Sequence, residues 1–160
     1  MQSEKKPLNM KKFFIMLALW LLTIICVIVG ANLYEQHQGE VYTETAVPYI
    51  KRIIPEVSKW NPEITRKLMA PEVLKTIPED RFVRAMTWFS DLGALQSMEE
   101  PVFKKVYVEE EIDIGIQTII EYNIDAKYEN GDALISIKLL DRGDYFDVYR
   151  FNLSSSILAE

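Results

Sequence analysis

The chain is poor in the side chains that most enzymes use for nucleophilic or metal chemistry. Its 160 residues contain one cysteine, Cys26, and one histidine, His37. Cys26 sits in an apolar run, so no Ser-His or Cys-His nucleophile can be assembled in the rest of the chain. No zinc set exists either. One cysteine also excludes an intramolecular disulfide. The six glycines are scattered, and none forms a GxxxxGK or GxGxxG phosphate cradle. Positive charge is scarce beyond the N-terminus: residues 32–160 hold 14 Lys and Arg against 23 Asp and Glu, a net of −9. Such a surface repels nucleic acid and anionic headgroups, which argues against a nucleic-acid partner. Nothing in this inventory calls for a cofactor or a metal.

What the chain does have is apolar length. From Phe13 to Leu33 no residue is charged. Twenty-one helical residues reach about 31 Å, the thickness of a hydrocarbon core. Residues 13–33 therefore read as a transmembrane helix in contact with lipid, behind a basic tail at 1–12 carrying Lys5, Lys6, Lys11 and Lys12. Glu35 and Glu40 follow the run, and no Lys or Arg appears until Lys51. The positive-inside rule then puts the N-terminus in the cytoplasm and the C-terminal part outside it. The competing reading is a cleaved signal peptide, with Val29 and Ala31 as the small residues before a cut, but the run exceeds the usual signal core of about 7–15 residues. "TIIC" lacks the small residue that a lipoprotein signal needs before its cysteine, so Cys26 reads as lipid-facing filler.

Residues 34–40, "YEQHQGE", form a polar juncture. His37 there could titrate near neutrality, but a plain solvated side chain suffices. The remainder, 41–160, reads as one α+β domain. Val47, Ile50, Ile54, Val57 and Trp60 share a helical face, with Pro48 and Pro55 expected to kink or interrupt the helix. Asn61 caps the next helix, with Pro62 at its first position and Ile64, Leu68 and Met69 on its buried side. A short turn of helix falls around Glu72–Lys75. Thr76 and Glu79 fit a capping box for a helix running to about Asp91, whose stripe is Phe82, Ala85, Met86 and Phe89. Gly93 suits the left-handed position that ends a helix, with Leu92 and Leu95 packing across the stop.

After Gly93 the period changes from helical to alternating. Four strands are expected. In the first, Val102, Lys104, Val106 and Val108 alternate with Phe103, Lys105 and Tyr107. In the second, Ile116, Thr118, Ile120, Tyr122, Ile124 and Ala126 share the apolar face. Asn130-Gly131 signals a hairpin, "DALISIKLL" is the third strand, "DRGD" a turn, and "YFDVYRFNL" the fourth. Helices first and strands after make an α+β class, with helices packed on a curved four-stranded antiparallel sheet.

That order of elements, over residues 40–155, resembles the cone-shaped nuclear-transport-factor-2-like fold. Within it, "KWNPEITRKLMAPEVL", "WFSDLGALQSMEEPVF" and "DYFDVYRFNL" resemble a family of small membrane-anchored bacterial proteins of unassigned function. The most specific pieces are Trp60, the Ala70-Pro71-Glu72 break, and Trp88-Phe89 followed by Leu92-Gly93-Ala94-Leu95. The resemblance implies a fold, a bacterial inner-membrane anchor and a periplasmic or extracellular domain. It brings no catalytic residue with it.

Acidic residues Glu109, Glu110, Glu111 and Asp113 cluster in "EEEIDIG", without the spacing of a calcium loop, and read as a solvated hairpin tip. Arg-Gly-Asp within "DRGD" reads as a tight turn. Enzymes of the cone fold use a buried carboxylate and tyrosines, which makes Tyr122 and Asp147 the candidate pair; Ile120, Phe89 and Trp88 would line the pocket around them. The bland alternative has Tyr122 filling core and Asp147 paired with a cation. The expected function is a non-catalytic, membrane-anchored interaction or assembly module with a membrane or periplasmic protein partner. The alternative is a pocket protein that binds or isomerises a small apolar ligand.

Overall fold

A computed structural model describes residues 10–111 and 115–159, without the side chains of 32–38, 111 and 159. The tail at 1–9 and Asp113 fall outside the described residues, as do the His37 and Glu111 side chains. The chain forms two compact units, 1–37 and 38–160. The helix α1 (Met10–Val57) contributes to both. In the first unit, Met10–Ala31 is long and apolar enough to cross a membrane, and none of it is buried by protein. Its one described hydroxyl, on Thr23, donates to the Leu19 carbonyl at 2.9 Å, so that donor is satisfied without water.

In the second unit, α1 buries Ala46, Ile50, Ile53, Ile54 and Val57, at the four- and three-residue steps of one helical face. The expected interruption does not occur: Pro48 and Pro55 both lie inside the helix. The two prolines are seven residues apart and both exposed, so the carbonyls they leave unpaired fall on the solvent side, where water replaces the missing N–H. Trp60 lies beyond the helix end with φ 57°, a left-handed backbone that is costly for a bulky residue.

Three short helices follow: α2 (Pro62–Leu68), α3 (Pro71–Thr76) and α4 (Glu79–Phe89). Asn61 caps α2 as its sequence predicts, its Oδ1 accepting from the N–H of Glu63 at 2.9 Å and of Ile64 at 3.3 Å. Thr65 and Met69 are the buried residues there, with Ile64 and Leu68 only half-buried. The capping box at Thr76 is not formed. Thr76 Oγ1 instead donates back to the Val73 carbonyl at 2.8 Å, closing α3, and Pro78 occupies the cap of α4. Phe82, Met86 and Phe89 form the buried stripe of α4, and a single 3-10 turn, Ser90–Leu92, carries the chain to Gly93.

The sheet is a curled, open antiparallel sheet of five strands, not four: β1 (Leu95–Met98), β2 (Val102–Glu111), β3 (Gly115–Tyr128), β4 (Asp132–Asp141) and β5 (Phe146–Ser154). The long β3 is its centre. One flank pairs with β4, which pairs with β5. The other flank is shared, β1 pairing with Ala126–Tyr128 and β2 with Gly115–Asn123. Four-residue β1 carries no alternating pattern because it is defined by its partner, not by its own burial.

Bulges reset the alternation three times, the first in β1 between Leu95 and Ser97. In β2 an irregularity between Phe103 and Lys105 leaves Lys104 without a partner on β3. Phe103 and Val106 consequently pack on the same core, although simple alternation separates them. In β5 the register jumps from Lys138↔Arg150 to Leu139↔Val148, so Tyr149 is the extra residue. Val148 and Phe151 both pack into the main core, while Tyr149 packs with Ala70, Val73, Ile119, Leu140 and Tyr107 on the sheet's other face.

The Asn130-Gly131 hairpin exists, shifted by one residue. Tyr128 N–H donates to the Gly131 carbonyl at 3.0 Å, so Glu129-Asn130 form the turn, and neither has positive φ. Tertiary bonds hold this turn: Glu129 N–H donates to the Ala94 carbonyl at 2.9 Å and Asn130 N–H to Leu92 at 3.0 Å. The Asn130 side-chain amide adds a bond to the Asp91 carbonyl at 2.8 Å.

Candidate functional site

The helix-covered face of the sheet holds the expected pocket residues Ile120, Tyr122 and Phe89. Ile120 is fully buried, Tyr122 is 1% exposed, and Phe89 is 7% exposed. They pack with Ile50, Ile54, Ile124 and Ile137 in one core. Ile116, expected on this face, is 73% exposed because β3 runs beyond the helices that cover it. The Tyr122 ring meets Phe103 edge-on, with centroids 5.7 Å apart. Its hydroxyl has no hydrogen-bond partner among the described residues. Burial, reinforced by the nearby Tyr42 phenol, pushes the Tyr122 pKa up to about 12. Tyr122 thus stands in the core as a protonated phenol.

Asp147 lies on the opposite face. Its register partner is Leu140, which belongs to the smaller cluster on that face. The structure therefore does not bring Tyr122 and Asp147 together: the sheet separates them. Asp147 accepts from Arg142 Nε at 3.0 Å. The same guanidinium donates through Nη2 to Glu72 on α3 and through Nη1 to Gln117 Oε1 at 3.4 Å. Glu72, Arg142 and Asp147 have side chains only 17–20% exposed. Burial alone would raise the Glu72 carboxyl, but its own backbone N–H and the Arg142 guanidinium outweigh that and hold it below the usual carboxylate range. Arg142 is thus the clamp that ties α3 to the outer face of the sheet. Its engagement also disposes of the Arg-Gly-Asp motif as a ligand loop, since the arginine faces inward. Sequence reading passed over Arg142 because its turn explained it locally. The signal available was its central place in an acidic motif.

A second polar group sits on that face around Glu121. Lys105 and Lys138 each approach its Oε2 at 3.7 Å, and Lys138 Nζ donates to the Tyr107 hydroxyl at 2.9 Å. Both lysines also lie over the Tyr107 ring, at 5.0 and 5.2 Å from its centroid. The Lys138 pKa is raised, chiefly by that hydroxyl, and its charge is kept.

Trp88 is 47% exposed. It stacks on Phe89 at 5.5 Å and 30°, and Phe89 in turn faces Trp60 at 6.3 Å. Trp60 covers the Tyr128 ring at 5.4 Å, and its indole N–H donates to the Gly93 carbonyl at 2.7 Å. Tyr128 OH shares a buried 2.9 Å bond with Ser58. One aromatic run therefore links the end of α1, the end of α4 and the β3–β4 turn. Trp88 is its open end.

No family model, curated protein or solved structure matches the chain.

Proposed function

We propose that this chain is a membrane-anchored interaction or assembly module that works without catalysis. The observation that carries this reading is the division of apolar surface. The first unit presents unburied, predominantly apolar side chains over a membrane-spanning length. The second closes its own core around Tyr122 and leaves large apolar side chains exposed at its margins, including Trp88, Val108, Ile116 and Tyr145. Isolated half-exposed aromatics are favoured anchors in protein interfaces.

In this reading the helices and curled sheet form a nuclear-transport-factor-2-like cone, here filled by side chains. The lysines before the span hold the N-terminus in the cytoplasm of a bacterial cell, and the acidic unit stands outside the inner membrane. A photo-reactive amino acid placed at Trp88 in intact cells tests the partner. The expected result is a discrete protein adduct that is absent when the probe stands at Arg150. Equal background at both positions overturns the reading.

A further inference from the structure

We propose that two copies of this chain pair through their β2 strands, antiparallel, about a twofold axis at Tyr107. The strand is an open edge of the sheet: among the described residues only β3 pairs with it. From Lys105 to Glu111 its ladder with β3 is regular, without a bulge. An unpaired edge of this kind is a template for another strand.

The sequence of the edge names the occupant. "KKVYVEE", residues 104–110, is basic at one end, apolar in the middle and acidic at the other. Antiparallel self-pairing about Tyr107 sets Lys105 opposite Glu109 of the second copy and Val106 opposite Val108, twice each by symmetry. Lys104 and Glu110 meet just beyond, where the Lys104 bulge ends the regular ladder. Moving the axis to Val106 sets Lys105 against Tyr107 and Lys104 against Val108. Moving it to Val108 sets Val106 against Glu110 and Tyr107 against Glu109. Only the Tyr107 axis matches charge with charge and valine with valine, which is what cross-strand pairs reward.

The side chains are placed for it. Tyr107 packs on the outer face with Ile119, and Lys105 and Glu109, two residues to either side, share that face. Val108 is 62% exposed and gains an apolar neighbour in the partner's Val106. An axis normal to the sheet leaves both helix-covered faces on the same side of the joined sheet. A shared membrane raises the effective concentration of the two edges, so a short ladder suffices. The pairing deepens the anchored-module reading by naming one partner, and it rests on that reading only for this concentration.

Cysteine cross-linking of the full chain in membranes decides it. With Cys26→Ser as background, Tyr107→Cys brings two thiols face to face on the axis, within reach of a disulfide. Oxidation is expected to give several-fold more covalent dimer than Ser154→Cys on the opposite edge of the sheet. Lys105→Glu added to Tyr107→Cys sets like charges across the axis and is expected to suppress the dimer, and Glu109→Lys added to both is expected to restore it. A Tyr107→Cys chain that stays monomeric, or dimerises no more than Ser154→Cys, overturns the pairing and leaves the lysines and the bulge as devices that blunt the edge. Suppression without restoration by the charge swap overturns the register. Sedimentation of the same chain reads the anchor separately: recovery in the soluble fraction overturns the anchoring, and the cross-link still decides the pairing.

Discussion

At the scale of single residues, Tyr122 shows how a candidate catalytic group can be a structural one. It is among the largest fully buried side chains in the chain, and its hydroxyl finds no partner among the described residues. An unpaired buried hydroxyl costs about 1–3 kcal/mol. Tyr122→Phe is therefore expected to stabilise the protein at neutral pH by about 1 kcal/mol, read as a higher melting temperature. The pH dependence has a definite sign. Burial raises the native pKa from 10.0 to about 12, so above pH 10 the unfolded phenol loses its proton while the native one keeps it. Stability from this group is complete below pH 10 and lost as pH climbs towards 12, at up to about 1.4 kcal/mol per pH unit. The phenylalanine variant should show a shallower decline across that window in denaturant titrations. A variant that is less stable at pH 7 and declines as steeply would show that the hydroxyl has a partner. Asp147 makes the complementary point: its pairing with Arg142 is the bland alternative that its sequence also allowed.

At the scale of elements, the corner at Gly93 joins helix to sheet. The turn 129–131 docks on it through three hydrogen bonds, from Glu129, Asn130 and the Asn130 amide. Gly93 has φ 77° and ψ −156°, outside the left-handed helical well expected of it and open in practice only to glycine. A Cβ there would stand 2.8 Å from the Glu129 Cβ. Gly93→Ala is thus expected to cost at least about 2 kcal/mol in urea unfolding and to speed hydrogen exchange at the Glu129 and Asn130 amides. A loss well below that, with exchange unchanged, would show the corner to be pliable. The requirement for glycine was legible in the sequence, but its cause was not, because the clash comes from a turn more than thirty residues on. The same division runs through the other elements. The Asn61 cap was legible because its partners lie two and three residues away. The β3 alternation around Ile120 and Tyr122 was legible because both flanks of that strand are paired. The parity of β2 and β5 was not, since single extra residues at Lys104 and Tyr149 invert it, and bulges follow from the partner strand's register and curvature. The extra residue at Tyr149 is what puts Asp147 on the face opposite Tyr122.

At the scale of the whole molecule, the two units divide the work of burial completely. Among the described residues, the first buried apolar side chain of the core is Ala46, and all the others follow it. The span at Met10–Ala31 has none of its surface covered by protein. Among the described residues, 1–37 hold no core side chain and no strand partner. The fragment 38–160 is expected to melt within about 2 °C of the same unit in the full chain, since surface changes away from packing stay within about 0.5 kcal/mol. It should also pass from the membrane fraction to the soluble one, helped by the acidic surface of that part of the chain. Circular dichroism of the fragment and sedimentation of both forms check the two halves of this expectation. A fragment that unfolds would mean that the anchor is part of the folding unit. A full chain that stays soluble would mean that its apolar helix is a leader sequence, removed before the unit reaches its place. The two outcomes are independent, because melting reads the core of 38–160 and sedimentation reads the apolar run at Met10–Ala31.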